Sequence, residues 1–95
     1  MRRPKVAVTA DSAQALGARA LLFLTEDPQR LARFLGETGL DPGTLRREAG
    51  TPELLASVLA YLLADESALL VFAAGAGIEP EEVMKSHHLL ESGSR

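Results

Sequence analysis

The chain has 95 residues, 46% of them apolar but only 4% aromatic, with 24% charged, a formal net charge of −3 and an isoelectric point near 5.3. One compact domain is expected at this length, and an ordinary apolar fraction with a small net charge argues against wholesale disorder. The absence of cysteine excludes a disulfide scaffold, thiolate metal sites and a cysteine nucleophile, and nothing in these numbers names a reaction or a ligand.

Residues 1–10 read as a basic extended tail. Arg2, Arg3 and Lys5 lead only into Val6-Ala7-Val8-Thr9-Ala10 before Asp11, too short an apolar run for an export signal, so cytoplasmic residence is expected. A single helical domain is predicted over 11–91, with 92–95 as a flexible tail. Within it, residues that favour helix caps stand before prolines at Asp27-Pro28, Asp41-Pro42 and Thr51-Pro52, with Glu79-Pro80 a weaker case. There a side-chain oxygen accepts from orphan backbone N–H groups, while Pro takes the first helical position, where its missing donor costs nothing. Another start lies at Asp11 or Ser12. Gly39 and Gly77 are placed to end helices in the left-handed conformation, and Gly50 stands just before the cap at Thr51. The predicted helices run over 12–25, 28–38, 42–49, 52–64, 66–76 and 80–90.

Periodicity supports helix over strand. Leu31, Phe34 and Leu35 fall at i, i+3, i+4, and Leu54, Leu55, Val58, Leu59 and Leu62 continue the rule through the fourth segment. The stretch 54–78 is nearly apolar but is cut by Asp65-Glu66-Ser67 into pieces shorter than the ~20 residues of a membrane-spanning helix, so no membrane span is expected. A shift of about 38 residues superposes core positions such as Leu24 on Leu62 and Phe34 on Phe72, together with Asp27 on Asp65 and the connectors Gly39-Leu40-Asp41-Pro42 on Gly77-Ile78-Glu79-Pro80. Leu40 on Leu45, and Ile78 on Val83, have the spacing of hydrophobic staples. Two pseudo-equivalent three-helix halves, 12–50 and 51–90, would produce this pattern; so would the recurrent grammar of helix caps.

The catalytic inventory is thin. No Gly-x-Ser-x-Gly elbow occurs. His87 and His88 are adjacent and point about 100° apart on a helix, so a metal would need further ligands such as Glu82 or Glu91. Acid pairs at Asp65-Glu66 and Glu81-Glu82 sit at helix starts, where the macrodipole accounts for them. Neither Gly75-Ala76-Gly77 nor Gly36–Gly39 precedes a helix in the manner of a phosphate loop. No cofactor, metal or catalytic residue is predicted.

Two binding readings remain. Residues 34–49 have the rhythm of a helix-turn-helix, with Thr44, Arg46 and Arg47 on a short second helix as nucleic-acid contacts. Against this stand the negative net charge and a non-basic second copy; Arg30 and Arg33 also read as a solvated face paired as Glu26 to Arg30 and Arg33 to Glu37. The preferred reading is a protein-interaction module or homodimer. The 66–76 helix carries no charge after its first residue, so it must be central to the bundle or covered by something else, and Leu55, Leu63, Leu70, Ala73 and Ala74 are the candidate interface.

The runs Leu21-Leu22-Phe23-Leu24-Thr25-Glu26-Asp27, Thr38-Gly39-Leu40-Asp41-Pro42 and Leu54-Leu55-Ala56-Ser57-Val58-Leu59-Ala60-Tyr61-Leu62-Leu63-Ala64-Asp65-Glu66 resemble short bacterial proteins grouped as domain of unknown function 3572, over roughly residues 13–83. The resemblance implies a soluble, helical, single-domain protein and brings no activity, cofactor or site residue. The expected fold is all-α, a bundle of five to six short helices.

Overall fold

A computed structural model describes residues 8–93, and among them six helices and no strand are found. They are α1 (Ala10–Thr25), α2 (Pro28–Thr38), α3 (Pro42–Glu48), α4 (Pro52–Ala64), α5 (Glu66–Ala76) and α6 (Pro80–Gly93). The all-α bundle is therefore as expected, with small shifts at the ends. Helix α6 runs to Gly93, through part of the expected tail. The rest of that tail, residues 94–95, and the basic segment 1–7 lie outside the described residues.

Each cap follows from local chemistry. Asp27 accepts from the N–H groups of Gln29 and Arg30, Asp41 from Thr44, and Thr51 from Leu54, with Pro at the first helical position after each. The start of α1 differs from expectation: Thr9 is the cap. Its hydroxyl accepts from the Ser12 N–H at 3.1 Å, while the Thr9 N–H donates to Ser12 Oγ at 2.8 Å, a capping box in which Ser does the work usually done by Glu or Gln. Gly39 and Gly77 have φ of 75° and 70° and close α2 and α5, as their spacing required. After α5 the Ile78 N–H also reaches back to the Ala73 carbonyl at 3.0 Å, completing a Schellman turn.

Helices α1, α4 and α6 pack on one another and enclose the core, and α2, α3 and α5 lie around them. Leu16, Ala20 and Leu24 of α1, Leu54, Leu55, Val58, Leu59 and Leu62 of α4, and Val83 and Leu90 of α6 meet in one buried cluster. Close approach of α1 and α4 depends on Gly17, which is buried against Leu55; a Cβ there would stand 2.8 Å from the Leu55 Cβ. The centre of the bundle is thus α4. The 66–76 helix, expected to be central or covered, buries only Phe72 and Ala73 and lies at the surface.

Positions matched by the 38-residue shift take equivalent places in the first two helices of each expected half, and the third helices differ. Asp27 and Asp65 each cap the second helix of a half, and Leu24 with Leu62, Phe34 with Phe72, and Leu45 with Val83 are buried in both. Aromatic contacts cross between halves in equivalent fashion: Phe23 of α1 meets Phe72 of α5 at 5.3 Å, and Phe34 of α2 meets Tyr61 of α4 at 5.5 Å. But α6 lies along both α1 and α4, whereas its counterpart α3 has no comparable contact with α1. With seven residues against fourteen, α3 is too short to bridge two helices.

No single helix among the described residues is long and apolar enough to cross a membrane; α4 and α5 together would be, but they meet at 113°. Asp65 makes that corner. Its N–H donates to the Leu62 carbonyl and its carboxylate accepts from the Ala68 N–H, so one residue ends α4 and starts α5.

Candidate functional site

The Asp65 corner sends α5 back across the N-terminal half, where it runs beside α1 and leaves a shallow groove of about 390 Å³ between them. The walls come from Arg19, Leu22, Phe23 and Glu26 on α1 and from Val71, Phe72, Gly75 and Ala76 on α5. The Phe23 and Phe72 rings form its floor. Phe23 is also covered by the Arg30 guanidinium, 4.0 Å from the ring centroid, a contact in which the cation faces the negative π surface. Arg30 also donates to the Phe23 carbonyl at 3.4 Å and stands 3.9 Å from the Asp27 carboxylate. Phe23 is thus held by Arg30 at the turn between α1 and α2.

The rim is apolar and open. Leu22 is 63% exposed, Val71 55%, and Leu70, on the adjoining stripe of α5, 52%. With Ser67, Ala74 and Gly75, also exposed, these residues make the outer surface of α5 free of charge from Ser67 to Ile78. Solvated helix faces ordinarily carry charge, and this one carries none over that stretch. Within the groove, charge enters only from α1, at the two ends of its stripe. Arg19 donates to the Ala76 carbonyl at 3.5 Å, at the electronegative end of α5. Glu26 has no ion-pair partner among the described residues; the expected Glu26–Arg30 pair does not form, because Arg30 turns towards Asp27 and Phe23, and the expected Arg33–Glu37 pair is not formed either.

Of the predicted interface residues, Leu70 and Ala74 are on this outer surface and Leu63 is half-buried on α4. Leu55 and Ala73 are not on any surface: Leu55 is 1% exposed, seated against Gly17, and Ala73 is buried beside Phe72. Helices α1 and α6 both pack against α4, so its wide apolar arc is taken up inside the bundle. Sequence reasoning missed the α1 wall. The signal was present in Leu21-Leu22-Phe23-Leu24, since four consecutive apolar residues on a helix sweep about 300° and cannot all face one core.

The nucleic-acid candidates come out differently. Thr44 donates its hydroxyl to Asp41 at 3.2 Å and accepts from Arg47 Nη2 at 3.1 Å, so two of the three side chains are engaged with each other and with the helix cap, and Arg46 is exposed alone. The Thr44 N–H, followed by its hydroxyl, holds the Asp41 carboxyl below its usual range and leaves a negative charge beside them. His87 stands 3.9 Å from Glu91, and no group of three metal-ligating side chains gathers among the described residues.

Tyr61 is the other perturbed group. Its hydroxyl is buried without a hydrogen-bond partner, and burial, with Glu37 and Asp65 adding to it against the opposing effect of Arg33, pushes its ionisation up.

No curated protein and no solved structure matches the chain. A family model, described as "Protein of unknown function (DUF3572)", matches residues 10–93, the whole span of the six described helices. The resemblance seen in the three sequence runs therefore extends from the first residue of α1 to the last of α6, and the chain belongs to the DUF3572 family.

Proposed function

We propose that the chain is a non-catalytic protein-interaction module whose docking surface is the α1–α5 groove and the uncharged outer face of α5. The observation that carries this reading is the exposure of Leu22, Leu70 and Val71 around a floor of two packed phenylalanines. Left in water, such a rim forgoes roughly 25 cal/mol for each Å² of apolar surface that a partner would cover. Aromatic and aliphatic anchors in a shallow depression, with charges at the edge, also match the anatomy of protein interfaces.

Site-specific photo-crosslinking in the native cells tests it. A photoreactive residue at Val71 should give a discrete protein adduct, and the same residue at Ser57, exposed on α4, should not. Absence of any adduct at Val71 above the Ser57 background overturns the reading.

A further inference from the structure

Resting on that docking surface, we propose that its occupant is a second copy of this chain, with the two α1 helices antiparallel about a two-fold axis passing between Leu22 and Phe23. The stripe on α1 reads Arg19, Leu22-Phe23, Glu26: one cation, an apolar centre and one anion. Seven residues separate the charges, placing them on the same face about 10.5 Å apart along the axis. A two-fold axis midway between them sets Arg19 of one copy opposite Glu26 of the other, and the reverse, while each Leu22 meets the other Phe23. This is the condition for an isologous interface, in which one patch must complement itself.

Two further observations favour a second copy over an unrelated protein. Neither Arg19 nor Glu26 has an ion-pair partner within the described chain, so both charges are available across the interface. The flanking face of α5 carries no charge from Ser67 to Ile78, so two molecules of net charge −3 bring no like charges together there. The ionic contribution is that of rim pairs, which fix register and are weakened by salt.

The test is charge exchange, read by sedimentation equilibrium with the full chain. Wild type should show a monomer–dimer equilibrium. Arg19→Glu and Glu26→Arg should each weaken self-association at least tenfold, because two attractive pairs become two repulsive ones. An equimolar mixture of the two variants should dimerise within a fewfold of wild type, as should the double variant R19E/E26R. Arg19 also binds the Ala76 carbonyl, so far-UV melting checks each fold, and the mixture detects the pairing even if both singles are somewhat destabilised. Single variants that associate like wild type, or a mixture that does not pair, overturn the proposal. A wild type that stays monomeric while Val71 crosslinks to a different protein also overturns it and leaves the docking surface standing; a monomer with no adduct removes both.

Discussion

Replacing Gly17 by Ala inverts the usual rule for helices. In an exposed helix interior Gly→Ala gains about 0.8–1 kcal/mol, because Ala loses less backbone entropy. Gly17 lies in the middle of α1, but its added Cβ would meet the Leu55 Cβ at 2.8 Å, about 1 Å short of ordinary carbon–carbon contact. Neither atom can swing away, since a Cβ is fixed by its own backbone, so α1 and α4 must separate. Overpacking of this kind costs ~1–3 kcal/mol, and with two backbones involved the upper end applies. Subtracting the propensity gain leaves a net loss of ~2 kcal/mol, or about 8–16 °C in melting temperature for a domain of this size. Gly36, on α2 with nothing within 4 Å of an added Cβ, is the internal control. Its replacement by Ala should raise the melting temperature by about 4–6 °C. Far-UV circular dichroism melts of the two variants beside wild type decide the matter: a Gly17→Ala protein that melts at or above wild type would refute the account of α1–α4 packing.

Two other perturbations have signs fixed by the structure. Asp65→Ala removes the acceptor for the Ala68 N–H and should cost ~1 kcal/mol in urea unfolding, whereas Asp65→Asn, which keeps a side-chain oxygen, should stay within a few tenths. Burial holds the Tyr61 phenol neutral in the folded state beyond its ordinary 10.0. Above that pH the unfolded chain gives up the proton first and binds fewer protons than the native state, so stability should fall as pH rises past 10. Tyr61→Phe should flatten that limb, and because the chain has one tyrosine the ultraviolet absorbance of tyrosinate follows the group directly; ionisation at the ordinary value in the folded protein would contradict its burial.

The helices were legible because their punctuation is local. Asp27-Pro28, Asp41-Pro42, Thr51-Pro52, Gly39 and Gly77 act within a turn or two of themselves, and each marks a boundary in the structure. Thr9 was missed because its box is closed by Ser12 in place of the longer acid or amide. Which helix is central was not legible. Helices α4 and α5 are similarly apolar in sequence, and what separates them is the neighbour each acquires: α4 lies between α1 and α6, while α5, turned through 113° at Asp65, reaches the edge. The candidate surface was half legible for the same reason. Leu70 and Ala74 could be found on the charge-free helix, but Leu22, Arg19 and Glu26 join them only through a tertiary contact between segments about fifty residues apart.

The asymmetry between α3 and α6 bears on how the chain acquires its shape during synthesis. Two of the three helices that enclose the core precede α6, which lies along both and is the last of the six described helices in chain order. Until Val83 and Leu90 arrive, the sides of α1 and α4 against which α6 packs are uncovered. A chain that ends before α6 therefore has α1 and α4 without the helix that packs along both. Apolar helix sides left uncovered in this way are the adhesive surfaces that chaperones and proteases recognise.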